Sequence, residues 1–334
     1  MHIHSRTNPS NLSLVWPLLA LLVLAITSHT VKAKWQERSE GIMGTNIRAE
    51  VFHQNDELRQ RALSQVMIEM ERINQLMSPY IDSSELSLLN RTASLAPVKV
   101  SDEMFYVLGL SAQLSELTLG AFDITFASVG YLYDYRQKRR PEDAQIGSLL
   151  SAINYRHVEL NEANQTVFFA HPDVKIDLGG IAKGYAVDKA IEALEAMGIK
   201  HALVTAGGDT RLLGDRLGKP WVVGIRDPRD KSKQAVLIPL EDAAMSTSGD
   251  YERYFEEDGK RFHHILSPKT GKSSYHVQSV SVIGPESVYN DALSTAVFVM
   301  GVEEGLGLIN ALPDFEAIVM DNQRRMHYSK GLEQ

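Results

Sequence analysis

The chain has 334 residues, 44% hydrophobic and 23% charged, with a formal net charge of −8. That size and balance fit an ordinary globular protein of one large domain or two fused lobes. The negative charge argues against a nucleic-acid binder, though not against an anionic ligand at a local site, and the lack of cysteine excludes disulfide staples, thiolate chemistry and a lipidated cysteine.

Leu12 to Ile26 (LSLVWPLLALLVLAI) is almost wholly apolar and carries no charge. Arg6 and the α-amino group precede it, and Val31-Lys32-Ala33 follows. This is the layout of a secretory signal peptide over 1–33, too short for a comfortable membrane span. The expected cut lies near Lys34; the alternative is an uncleaved N-terminal anchor. On either reading the rest of the chain is exported.

Gly41 to His53 alternates as a strand. Asn55 or Asp56 then caps a helix running to Met77, on which Leu58, Ala62, Val66, Met70, Ile73 and Met77 recur every three or four residues. Ser101 caps a second helix that reaches Thr118, with Asp102 and Glu103 in its first turn. Residues 131–147 (YLYDYRQKRRPEDAQIG) are polar and basic and read as an exposed loop. VFFAHPDVKID, residues 167–177, reads as strand, turn, strand. Ile181 to Met197 is a helix closed by Gly198. HALVTA, TRLLG, WVVGIRD and AVLIPL are short strands, and so are HHILSP, QSVSVIG and AIVMD. Tyr289 to Met300 is a helix with an apolar face. Long helices beside hairpin-linked strands point to an α+β architecture and away from a doubly wound parallel sheet.

Five stretches carry candidate chemistry. KIDLGGIAKGYAVD (Lys175 to Asp188) puts glycines and Lys183 where a strand meets a helix. Glycines there permit close backbone approach, and a helix start offers free N–H groups and a positive dipole end to a phosphate. It lacks the endings of a P-loop or dinucleotide motif, and a tight packing turn accounts for it equally well. In NDALSTAVFVMG, Asp291 and Thr295 are four apart and share a helix face. Two hard oxygen donors make a partial Mg²⁺ site; the competing reading is a helix cap at Asn290 or Asp291. In RFHHILSPKTG, adjacent histidines on one strand face opposite ways, so one of them can face a pocket as a general base; the competing reading is a surface or core histidine. In LGAFDITFASVG, Phe122 beside Asp123 could hold a planar ring or simply pack in the core. IMGTN, Ile42 to Asn46, is uninformative alone.

Taken in order, these stretches resemble one family. MGT (43–45), SPYIDSSELSLLN (78–90), GAFDIT (120–125), KIDLGGIAKGYAVD, ALVTAGGD (202–209), HHILSPKTG (263–271) and DALSTA (291–296) are similar to FAD:protein FMN transferases of the ApbE family, from about residue 40 to the end. The resemblance implies a flavin transferase domain over 34–334, an α+β fold of two T-fold-like halves fused in one compact unit, and a periplasmic location. It implies cleavage of the FAD pyrophosphate, with FMN joined to a Thr or Ser hydroxyl of an acceptor protein and AMP released. The acceptor could be a subunit of a membrane redox complex. Mg²⁺ is implied at Gly180 (through its carbonyl), Asp291 and Thr295. Flavin-nucleotide contacts are implied at Asp177, Lys183 and Ser294, a surrounding pocket at Met43, Tyr80, Ala121, Phe122 and Asp123, and Ile265 against FAD. His264 matches the base for the incoming hydroxyl, with an acid limb near pH 6.5 expected if its ring is unperturbed. Two departures stand out. Ser267 replaces the aspartate of the usual D-P-x-T-G, so that position supplies no charge, and ASVGYLYDY is a loose match to the family's pattern. The rival readings are an FAD carrier, an FAD pyrophosphatase releasing FMN and AMP to water, and an oxidoreductase using bound FAD.

Overall fold

The computed structural model describes residues 34–333. The expected leader lies outside the described residues. The frame is one eight-stranded sheet, antiparallel throughout. In spatial order its strands are Lys34–Ile42, Thr45–His53, His201–Ala206, Asp209–Leu213, Ala244–Gly249, Val277–Gly284, Glu316–Asp321 and Met326–Tyr328. The expected α+β class is thus met. The helices Asp56–Met77 and Ala182–Ala196 pack on the first four of these strands, and Ser287–Met300 and Val302–Ile309 pack mainly on the last four.

The long helices bury apolar stripes in one continuous core. Ala62, Val66, Met70 and Ile73 of the first helix are fully buried, as their spacing requires. Asn55 caps that helix by accepting from Leu58 N (3.0 Å), and Ser101 caps Asp102–Leu117 by accepting from Met104 N (3.2 Å); a helix the sequence reading omitted, Glu85–Thr92, lies between them with Ser84 as its cap. Among the described residues no helix is long and apolar enough to cross a membrane.

Four local readings are corrected. Gly41 to His53 is the end of one strand, a two-residue turn and a second strand. Met43 and Gly44 both take positive φ (54° and 69°), the geometry that closes a tight hairpin. Val174 to Asp177 joins no strand ladder. The Asn90 side chain pairs both ways with the Ile176 backbone (2.8 and 2.9 Å), and Asp177 N donates to Ile124 O (3.0 Å). HHILSP is split, because His263 ends the strand Lys260–His263 and the next begins at Leu266. The loop 131–147 contains the start of a helix, Asp143–Leu149, and a bridge between Asp134 and Arg139.

One glycine sets how the helices cross. A Cβ on Gly184 would fall 2.3 Å from Ser287 O, a backbone atom with little room to retreat. Helix propensity favours Ala over Gly by about 1 kcal/mol, yet overpacking costs about 1–3 kcal/mol or more. Gly184→Ala therefore lowers the urea midpoint of unfolding, and an unchanged or raised midpoint would refute this packing.

Candidate active site

The Ala182–Ala196 helix opens after a turn in which Ile181 N and Ala182 N both donate to Leu178 O (3.0 and 2.8 Å). That turn delivers Lys183 to two carboxylates. Its ammonium lies 2.8 Å from Asp209 Oδ2 and 3.0 Å from Asp291 Oδ2. Asp291 also accepts from Gly184 N (3.1 Å), so the helix-start N–H anticipated for phosphate is engaged by this side chain. Asp209 is 2% exposed and Asp291 3%. The cap reading of Asp291 fails, because its helix begins four residues earlier, at Ser287. That helix end is capped by Asp188, which accepts from Ser287 N and Val288 N (3.0 and 2.8 Å).

Two buried acids thus face one ammonium. Burial and the neighbouring Asp209 push the Asp291 carboxyl up to about 7, against the pull of Lys183 and Gly184 N–H. Burial opposes the Lys183 charge, but Asp209 and Asp291 outweigh it and raise its pKa. With both carboxylates ionised, the state a bound cation would favour, the cluster is one positive charge short of neutrality. Thr295 lies one turn beyond Asp291, and its hydroxyl is 3.2 Å from Ser248 Oγ. A Cβ on Gly180 would sit 3.3 Å from Thr295 Oγ1 and 3.4 Å from the Phe122 ring, so these three residues are brought together. Carboxylates, hydroxyls and a backbone carbonyl are hard oxygen donors, and with the charge deficit they fit a hard divalent cation. No cluster of three or more His, Cys, Asp or Glu able to hold a metal occurs among the described residues. Further ligands would therefore be neutral protein oxygens, waters or phosphate oxygens.

The other expected residues fall into place unevenly. Ser294 is buried; its hydroxyl donates to Asp291 O (2.9 Å) and pairs with Ser248 Oγ (2.8 Å), so it braces the cluster. Asp177 accepts from Gly179 N (2.7 Å) and Tyr131 OH (3.4 Å); burial raises its pKa, opposed by Gly179 N–H and Arg253. Asp123 is occupied as a cap, taking Thr125 N (2.8 Å), Thr125 Oγ1 (2.6 Å) and Tyr155 N (2.8 Å). Ala121 packs against the core, and Phe122 and Ile265 are inside it. Tyr80 stands out at 82% exposed. Met43 holds a left-handed conformation that is costly for a residue with a Cβ, as at many ligand-binding turns.

The histidines divide by surroundings, and the expected alternation along one strand does not apply. His263 is buried, with Nε2 2.6 Å from Ser274 O and its ring edge-on to Phe298 and Tyr275. Burial pushes it down to about 4. His264 lies past the strand end, where its N donates to Arg253 O (3.1 Å), and its buried Nδ1 has no partner. Burial, then the charges of Arg253, His263 and Lys183, push it down to about 3, so the ring is neutral at pH 7 and the acid limb near 6.5 is not expected of the free site. At the departure in the S-P-K-T-G segment, Ser267 serves through its carbonyl, which accepts from Thr270 N and Gly271 N (3.1 and 2.8 Å). Tyr133 OH to Gly271 O (3.0 Å) and Tyr135 OH to His263 O (3.3 Å) pin the loosely matching loop beside it.

His263 permits a linkage test. It is neutral in the fold and protonates near 6.5 when unfolded, so the unfolded chain binds more protons and its neutral packing loses stability from pH 6.5 down to about 4. That span amounts to about 3 kcal/mol. The destabilisation by His263→Gln is therefore largest near pH 8 and shrinks toward pH 4 in urea titrations; a pH-independent difference would contradict the buried neutral ring.

Sequence reading passed over three of these residues. Asp209 ends the quoted ALVTAGGD, Ser248 lies in AMSTSG, a strand with no alternation to mark it, and Arg253 sits between Glu252 and Tyr254 in an ordinary polar run. Comparison with known proteins gives the family. The ApbE family model matches residues 43–319. The chain belongs to the ApbE family. It is 32% identical to the FAD:protein FMN transferase of Treponema pallidum, over 94% of this chain and 93% of the relative. It is also 32% identical to that of Vibrio cholerae, over 88% and 90%. The crystal structure of the ApbE protein of Thermotoga maritima superposes with a TM-score of 0.83 at 33% identity, covering 89% of this chain and 98% of that one. The flavin transferase ApbE of Vibrio cholerae gives 0.80 at 29% identity, with the same coverages.

Proposed function

We propose that this ApbE-family chain transfers FMN from FAD to a Thr or Ser hydroxyl of an acceptor protein. The observation that carries the reading is the buried Lys183–Asp209–Asp291 cluster with Thr295 and Gly180 beside it, short of one positive charge. In the transfer, the acceptor oxygen forms a bond to the FMN phosphorus and the bridging P–O bond to AMP breaks. The hydroxyl proton passes to His264, and AMP leaves with the bridging oxygen. His264 is suited to this because its ring is neutral and already desolvated. A pKa near 3 makes a feeble base, but an anionic pyrophosphate beside the ring favours its cation and raises that value. Asp291, Thr295 and Gly180 would hold Mg²⁺, which when bound offsets charge on the phosphate oxygens. Met43, Tyr80 and Phe122 would border the nucleotide, and Asp177 would contact it. Lys183 would reach it only by sharing its ammonium with Asp209 and Asp291.

Two helices packed on each four strands of the sheet support a fold of two T-fold-like halves fused in one compact unit. The apolar run Leu12 to Ile26 supports export to the periplasm, with 1–33 as signal or anchor and 34–334 as the working domain. The reading is tested by following AMP release from FAD and Mg²⁺ with and without candidate acceptors. Release that depends on acceptor supports a transferase, acceptor-independent release a pyrophosphatase, and no release a carrier.

A further inference from the structure

One cation at this site has no counter-charge. The segment from Arg226 to Arg261 carries four arginines between and including its ends, and three are neutralised. Arg226 reaches Glu252 (3.3 Å), Arg229 reaches Asp250 (2.6 Å), and Arg261 takes both Asp250 (3.2 Å) and Glu256 (2.8 Å). Arg253 alone has neither an ion pair nor a side-chain hydrogen bond among the described residues, although Glu252 is its neighbour in sequence. Its position is constrained at both ends. Its carbonyl accepts from His264 N (3.1 Å), and its guanidinium reaches the tight turn of the first hairpin, where a methyl on Gly44 would sit 3.7 Å from Nη2. It therefore lies between the candidate base and the strained Met43–Gly44 turn, and its charge acts on both Asp177 and His264. Arg253 is itself exposed, so the missing partner alone says nothing. Its place beside the Met43–Gly44 turn, with its charge acting on the half-buried Asp177 and His264 while the other three arginines are paired off, fits it to an anion that arrives from outside.

We propose that Arg253 is a substrate-binding residue whose guanidinium clamps the diphosphate of the incoming dinucleotide. A planar fork of donors suits phosphate oxygens and can bind two at once, which an ammonium cannot. Lys183, held by two carboxylates, has less charge to offer, and Arg253 supplies what it lacks. This assignment rests on the FAD-dependent reading above and adds a residue that the sequence motifs do not include.

The test is a binding series on the full chain with Mg²⁺, reading flavin fluorescence for riboflavin, FMN and FAD, and competition by ADP. Charge-assisted hydrogen bonds of this kind correspond to about 10- to 100-fold in Kd. Arg253→Gln weakens FAD and ADP by that factor and leaves riboflavin unchanged. Arg253→Lys restores part of the loss, because charge returns without the fork. Arg136→Gln, an exposed arginine also without an ion pair among the described residues, changes nothing and controls for net charge. Equal losses for riboflavin and FAD, or none for FAD, would overturn the clamp. So would a rise in acceptor KM with unchanged FAD affinity, which would assign Arg253 to the acceptor instead. If FAD binds with these differences but no FMN is transferred, the clamp stands and the transferase reading fails; a wild type that binds no FAD overturns both.

Discussion

Asp291→Ala abolishes transfer at any practical Mg²⁺ concentration. The carboxylate does three things at once: it accepts from Gly184 N, holds the Lys183 ammonium, and supplies the charged donor beside Thr295. Without it, Lys183 turns wholly to Asp209, and the charge deficit that favours a divalent cation disappears. A bound metal is worth several kcal/mol of transition-state stabilisation, so the loss is about 10³-fold or more in rate. Thr295→Ala removes a neutral hydroxyl and costs far less, about tenfold, largely recovered by raising Mg²⁺. Measured rates against Mg²⁺ for both variants decide the matter. Normal turnover of Asp291→Ala at limiting Mg²⁺ would refute the metal assignment, and folding of that variant is checked by its urea midpoint.

His264→Ala slows transfer by about 10²- to 10⁴-fold, the usual contribution of a positioned general base. FAD affinity is retained, because the ring's role begins with the acceptor hydroxyl. The pH dependence sharpens the test. With the free ring pushed down to about 3, kcat/KM should show no fall with a midpoint near 6.5 that is lost in the variant. Under kcat, with pyrophosphate bound beside it, the limb belonging to His264 moves to higher pH. Single-turnover FMN transfer against pH, for wild type, His264→Ala and His263→Ala, reads both. If His263→Ala is the slower enzyme with folding intact, the roles of the pair are reversed. If neither is slowed, no histidine is the base.

Most of the frame was legible in the sequence because its signals are local. Asn55 and Ser101 announce their helices by capping, and the stripe from Ala62 to Ile73 shows which face is buried. The motifs also led to Asp291, Thr295, Gly180 and Phe122, which the fold gathers from three separate segments. What escaped was pairing between distant parts. Nothing in KID says that an asparagine 86 residues away replaces a strand partner for Ile176. Nothing in GGD says that Asp209 will share an ammonium with Asp291, since only the adjacency of the helices and the strand brings the two acids together. HHIL reads as one strand because its residues favour strands, yet the ladder stops at His263, and with it the argument from alternating faces. The Ala244–Gly249 strand was invisible for another reason. Ala244 to Ser246 are buried in succession and Thr247 and Ser248 half-buried, so small polar residues follow one another with no alternation to read.

In the proposed reaction, flavin leaves FAD as FMN and ends on another protein. The direct measurement is peptide mass spectrometry of candidate acceptors after incubation with the chain, FAD and Mg²⁺. FMN joined through phosphate to one Thr or Ser is expected, matched by an equal amount of AMP and absent with Asp291→Ala. FAD consumed to free FMN and AMP, with every acceptor peptide unmodified, would contradict it.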